Sequence, residues 1–130
     1  MTKIILISHN SLAKGLAKAV EMIAGPQENL AAYALMPGEN PDDIVAGFAK
    51  DLPSDEPVLI LADLVGGSMC NAAMALLKRP NVRLVGGMNM ALVLQLVLNP
   101  DANLDHVIQS ARDSLQEVRL TPVHAENDFF

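Results

Sequence analysis

A histidine at position 9 and an aspartate at position 63 each close an uninterrupted apolar run: Ile4-Ile5-Leu6-Ile7 leads into Ser8-His9, and Val58-Leu59-Ile60-Leu61-Ala62 leads into Asp63. An imidazole changes its charge near neutrality and can serve as nucleophile or proton carrier, and a carboxylate beside it can hold it in one tautomer. Beyond Asp63 the chain reads Leu64-Val65-Gly66-Gly67-Ser68-Met69. That flexible turn offers backbone N–H groups and a hydroxyl at a helix start, a suitable cradle for an anion. Taken singly, His9 reads as an ordinary polar loop residue, and residues 63–68 read as a turn followed by a helix cap. Their occurrence together at two strand ends is what points to a site.

The elements that must bring them together can be read from the apolar pattern. Continuous runs at residues 4–7 and 58–62 are typical of strands buried on both faces, and therefore of central parallel strands. Asn10 or Ser11 can cap a first helix with apolar positions Leu12, Leu16, Val20 and Ile23, which stops at Gly25-Pro26. A second strand at residues 30–35 is followed by the turn Pro37-Gly38. Asn40-Pro41-Asp42-Asp43 then supplies a cap, a proline at the first helical position and two first-turn carboxylates. The second helix carries Ile44, Val45, Phe48 and Leu52 on one side. Cys70, Ala73, Met74 and Leu77 mark the apolar face of a third helix, a fourth strand spans residues 82–87, and a fourth helix spans 90–98. A fifth helix begins near Asn103 with Leu104, Ile108, Ala111 and Leu115, and Val118, Leu120 and Val123 alternate as one last short strand would. Alternating strands and helices imply one α/β domain over residues 1–130, a doubly wound and mostly parallel sheet with helices on both faces. The acidic tail, residues 125–130, reads as terminal disorder. With strand order 2-1-3-4, the first and third strands are neighbours, so His9 and Asp63 face one crevice at the topological switch point.

Composition narrows the function classes. A net charge of -6 and the absence of a basic stripe argue against nucleic acid. Aromatic residues make up only 3%, so the core is packed from aliphatic side chains and Met. The single cysteine, Cys70, rules out an intrachain disulfide and fits a reducing compartment. The first apolar run leads into a capped helix rather than a cleavage site, so no signal peptide is expected. Residues 84–100 carry no charge but include Gly86-Gly87 and Asn89. They read better as a buried strand and helix than as a membrane span, which needs about twenty apolar residues. The expectation is a cytoplasmic protein.

At these residues the chain resembles enzyme IIA of the mannose family of the bacterial sugar phosphotransferase system. The likeness runs through nearly the whole length: the strand ending in Ser8-His9, the helix ending at Gly25, the loop Pro37-Gly38-Glu39-Asn40, the stretch Asp63-Leu64-Val65-Gly66-Gly67-Ser68, and Val85-Gly86-Gly87-Met88-Asn89. It implies that His9 accepts a phosphoryl group from the histidine-containing phosphocarrier protein and passes it to enzyme IIB. Asp63 would support the histidine, and Ser68, Gly67 and Asn10 would border the phosphoryl group. A functional link to the membrane components IIC and IID is implied without membrane insertion. A homodimer exchanging its C-terminal edge strand is implied as well. Asn10 stands where the family often has glycine, and Met69 where it often has proline after the turn.

The chemistry agrees with the resemblance. A neutral imidazole accepts a phosphoryl group when one nitrogen keeps its lone pair, and a carboxylate taking the Nδ1 proton leaves Nε2 free. In-line transfer between two imidazoles asks for positioning and N–H donors, so no metal or cofactor is expected. His106 and His124 read as solvated surface residues. Leu12, Met36 and Met69 are candidate partner contacts near the strand ends. Two other readings compete: the phosphotransferase subunit that serves dihydroxyacetone kinase, which shares the opening strand and histidine, and a flavodoxin-like binding or receiver-like regulatory module. A receiver should carry an acidic cluster after its first strand, where this chain has Ser8-His9-Asn10.

Overall fold

The computed structural model describes residues 1–120. In chain order the elements are β1 (Lys3–His9), α1 (Leu12–Ala24), β2 (Leu30–Leu35), α2 (Pro41–Ala49), β3 (Val58–Ala62), α3 (Ser68–Ala73), a 3-10 helix (Met74–Lys78), β4 (Val82–Gly86), α4 (Met90–Leu98) and α5 (Leu104–Asp113). Among the described residues the strands form one four-stranded sheet in the expected order, β2-β1-β3-β4. Every neighbouring pair is parallel, with Ile7 beside Ala62 and Ala62 beside Gly86. That register brings His9, Asp63 and Gly86 to the same, carboxyl end of the sheet.

The two central strands divide their side chains between two cores, because successive residues point to opposite faces. Ile4, Leu6, Leu59 and Leu61 pack with α1, α4 and α5, whereas Ile5, Ile7, Val58, Ile60 and Ala62 pack with α2 and α3. Each fully buried aliphatic side chain contributes about 1.5–3 kcal/mol, so β1 and β3 form the most strongly held part of the molecule. Tyr33 of β2 stacks on Phe48 of α2 with ring centroids 4.7 Å apart, which ties the outer strand to its helix. The charge-free stretch resolves into β4, a short loop and the deeply buried α4. No helix among the described residues is long and apolar enough to cross a membrane.

The caps behave mostly as the sequence indicates. Asn40 Oδ1 accepts the Asp42 N–H ahead of Pro41, and Gly25 closes α1 in a left-handed conformation. The first helix differs: Ser11 holds the cap position without a side-chain bond, and Ser8 Oγ takes the Ala13 N–H instead. The buried face of α1 keeps Leu16 and Val20 of the expected positions but not the two outer ones. Ala13 and Val20 are buried, with Leu16 and Ala17 packed beside them, while Leu12 and Ile23 are exposed.

The third helix departs further, because after Ala73 it tightens into a 3-10 helix of about three residues per turn. Cys70, Ala73 and Leu76 therefore share the inner face, and Met74 and Leu77 turn outward. Leu115 lies beyond the end of α5 and is exposed. Residues 115–120, which include Val118 and Leu120 of the expected last strand, form neither helix nor strand in the single chain. Val123, His124 and residues 125–130 lie outside the described residues.

Candidate active site

Two turns leaving the central strands build the site. After His9 the chain must reverse direction into α1, and Asn10 does so with φ +50, the left-handed region that asparagine tolerates better than most residues. Its N–H donates to the Leu35 carbonyl at 2.7 Å, and its Oδ1 accepts the Ser11 N–H at 2.7 Å. The fully buried Ser8 closes this turn from below: its hydroxyl accepts from Ala13 N–H at 2.7 Å and donates to the Asn10 carbonyl at 3.2 Å.

The second turn follows Asp63, whose own N–H is tied to β1 through the Ile7 carbonyl at 3.1 Å. The Gly67 N–H then donates to the Leu64 carbonyl at 3.1 Å, with Gly66 at φ +81 in the third position, the arrangement of a type II turn. Asn71 Nδ2 donates to the Gly66 carbonyl at 3.2 Å and fastens the turn to α3.

These turns place Asp63 Oδ2 where it accepts two hydrogen bonds, one from the His9 backbone N–H and one from the ring Nδ1, both at 2.9 Å. A carboxylate has no hydrogen to donate, so in the neutral ring the pairing puts the proton on Nδ1 and leaves Nε2 with its lone pair. Ser68 Oγ lies 3.2 Å from that Nε2. The imidazole is half exposed, and Asp63 retains only 9% of its side-chain exposure. Asp63 Oδ1 is buried and has no hydrogen-bond partner among the described residues. Both donors therefore converge on one oxygen, an arrangement whose cost is characteristic of functional positions. Gly67 lets the ring lie against the backbone. A Cβ there would sit 3.2 Å from His9 Cε1 and 3.1 Å from the Leu64 carbonyl oxygen.

Of the residues singled out from the sequence, His9, Asp63, Gly67 and Ser68 come together. Asn10 shapes the turn but holds its side-chain oxygen on Ser11. Leu12 and Met36 are exposed at this end of the sheet, as a contact role requires. Met69 is not. It is completely buried with Cys70 and Ala73 beneath α3, because the helix start that turns Ser68 toward His9 turns its neighbour into the core. Its place on the surface is taken by Leu64 and Val65, 58% and 74% exposed. Their position directly after Asp63 was the available signal. Ser8 was likewise legible only as a small polar residue before His9, with nothing local to reveal its role in the turn.

With this geometry in place, the comparisons with known proteins are specific. Residues 3–112 match the EIIA-man family, described as the PTS system fructose IIA component. The sorbose-specific EIIA component of Klebsiella pneumoniae is 36% identical over 102 residues, covering 76% of this chain and 75% of that protein. The mannose-specific EIIAB component of Escherichia coli K12 is 28% identical over 92% of this chain, which spans only 40% of that longer relative. Among solved structures, the mannose/sorbose specific IIA subunit from Enterococcus faecalis superposes with a TM-score of 0.81 at 28% identity, covering 95% of this chain and 98% of that one.

Proposed function

The chain belongs to the EIIA-man family and is a phosphoryl-transfer component of a sugar phosphotransferase system, and we propose that His9 is the residue that carries the phosphoryl group. The observation that carries this reading is the 2.9 Å bond from His9 Nδ1 to Asp63, which in the neutral ring leaves Nε2 as the nitrogen with the lone pair on a half-exposed imidazole. The family implies the histidine-containing phosphocarrier protein as donor and enzyme IIB as acceptor. In the forward step the Nε2 lone pair forms a bond to phosphorus while the bond to the carrier's imidazole breaks, and that electron pair returns to the carrier ring. Positive charge builds on the His9 ring, and the Asp63 carboxylate faces it. Ser68 Oγ and the N–H groups of the glycine turn border the position the phosphoryl oxygens take. Transfer to enzyme IIB reverses these bonds with a new acceptor. No proton has to leave a hydroxyl in either step, so the site works by positioning.

Leu12, Met36, Leu64 and Val65 make an exposed apolar rim at this end of the sheet, and we assign the partner contacts to them. An apolar centre with charge confined to the encounter step suits partners that must dissociate in every turnover. The same reading puts the protein in the cytoplasm, serving the membrane components without entering the bilayer. Incubation with phosphoenolpyruvate, enzyme I and the phosphocarrier is expected to add one phosphoryl group per chain, stable in alkali and lost in mild acid. A linkage stable to acid would assign the group to a hydroxyl and overturn the proposal.

We further infer a homodimer built by the segment after α5. β4 borders the sheet among the described residues, and the apolar Val118 and Leu120 beyond α5 stand fully exposed in the single chain. A strand from a second chain laid along that edge would cover both features. Truncation after Leu115 is expected to convert a dimer into monomer or aggregate in light scattering; an intact protein that runs as a monomer at micromolar concentration contradicts it.

A further inference from the structure

We propose that Gly86, the last residue of β4, is a positioning residue for phosphoryl transfer: its missing side chain is the seat on which the 64–67 turn rests. Of the glycines near the site, Gly66 and Gly87 have positive φ and are required for their backbone conformation, but Gly86 is not among them. Its torsions admit any residue. What excludes a side chain is contact, because a Cβ at 86 would overlap Val65 Cγ2 and lie 3.0 Å from both the Cα and the N of Val65. No other glycine in the chain is approached so closely.

The consequence passes along the turn in short steps. Val65 sits inside the turn closed by the Gly67 N–H to Leu64 carbonyl bond. Two residues on, Gly67 carries the close approach to His9 Cε1, and Ser68 the contact to Nε2. Lifting Val65 off β4 therefore moves Gly67 and Ser68 relative to the ring. Asp63 is insulated from that movement. It is tied to Ile7 of β1, and the Ala62 carbonyl before it accepts both the Gly87 and the Met88 N–H, at 3.0 and 2.9 Å. One end of β4 thus holds the aspartate through backbone bonds and sets the height of the anion-facing turn through a bare Cα.

This inference rests on the reading that His9 is the acceptor, and the test separates the two. The Gly86→Ala, Val65→Ala and double variants are compared with the parent in single-turnover transfer from saturating phosphorylated carrier. A displacement of a few tenths of an ångström is expected to slow Gly86→Ala about tenfold, since a 1 Å misplacement can cost about a hundredfold. Val65→Ala removes the overlapping Cγ2 but leaves the 3.0 Å approaches to the backbone of residue 65. The double variant is therefore expected to recover part of the rate, judged against Val65→Ala itself because Val65 is also assigned to the partner contacts. In ring-nitrogen NMR, Gly86→Ala should keep the Nδ1-protonated signature of His9.

Transfer by Gly86→Ala within a factor of two of the parent overturns the proposal. So does a double variant as slow as Gly86→Ala, or loss of the Nδ1 signature together with the rate, which would trace the effect to Asp63. If Gly86→Ala does not fold, the double variant must fold and transfer for the proposal to stand. Phosphorylation of a folded His9→Ala protein would instead refute the acceptor assignment and leave the seating of the turn to be judged by the NMR comparison.

Discussion

His9→Ala is expected to fold and to accept no phosphoryl group. The side chain is half exposed and closes the end of β1, so its removal takes little from either core. The backbone N–H of residue 9 still donates to Asp63 Oδ2, which keeps the carboxylate partly satisfied and the turn in place. What disappears is the nucleophile. The chain has three histidines. His106 is exposed on the outer face of α5, and among the described residues only its backbone N–H is engaged, by the Asn103 cap. Nothing described around His106 reproduces the carboxylate and hydroxyl that bracket the His9 ring. The measurement is the stoichiometry of labelling from phosphoenolpyruvate through enzyme I and the carrier, beside a thermal melt as the check on folding. A folded variant labelled to the parental level places the acceptor elsewhere.

The second large effect is expected at Asp63. Were the bond to Nδ1 the only one the carboxylate accepts, Asp63→Asn could turn an amide N–H toward the ring and favour the wrong tautomer, the change that costs about four powers of ten in the serine protease template. Asp63 Oδ2, however, also accepts the His9 backbone N–H. That group is always a donor, so an asparagine here turns its oxygen toward His9 and its NH2 to the position of the partnerless Oδ1. The Nδ1 tautomer then survives, and the charge facing the ring is what is lost. Hydrogen bonds to charged groups contribute about 1.5–3 kcal/mol against about 0.5–1.5 for neutral ones. The difference, about 1–1.5 kcal/mol, corresponds to roughly one power of ten in single-turnover transfer. Asp63→Ala removes both bonds and frees the ring, so its loss should reach about two to three powers of ten. If both variants transfer within a factor of two of the parent, Asp63 is only a turn residue.

Much of this was legible in one dimension because the controlling features are local. A run of β-branched and leucine residues without a polar break can only be satisfied by burial on both faces, and that made β1 and β3 central. Central parallel strands end at the crevice, and whatever follows them in sequence faces it. His9 and Asp63 could therefore be paired from their positions at the ends of two such runs once the order 2-1-3-4 is taken, and the sheet has that order. Caps at Asn40 and Gly25 were equally readable, since a cap is a matter of a few consecutive residues.

Tertiary structure decided whatever depends on rotation about an axis or on approach between distant segments. Met69 and Ser68 are adjacent in sequence, yet one is buried and the other faces His9, because α3 packs its inner face into the core shared with β1, α2 and β3. The tightening of that helix into 3-10 geometry moved the inner face from Met74 and Leu77 to Leu76. The double acceptance by Asp63 Oδ2 exists only because the parallel register sets Ile7 beside Ala62 and so stacks the two strand ends. Gly86 belongs to the same class. A glycine at the end of a strand says nothing about why it is glycine until the turn that crosses it is in place, because what forbids a side chain there is not its own backbone but Val65, brought over it by the fold.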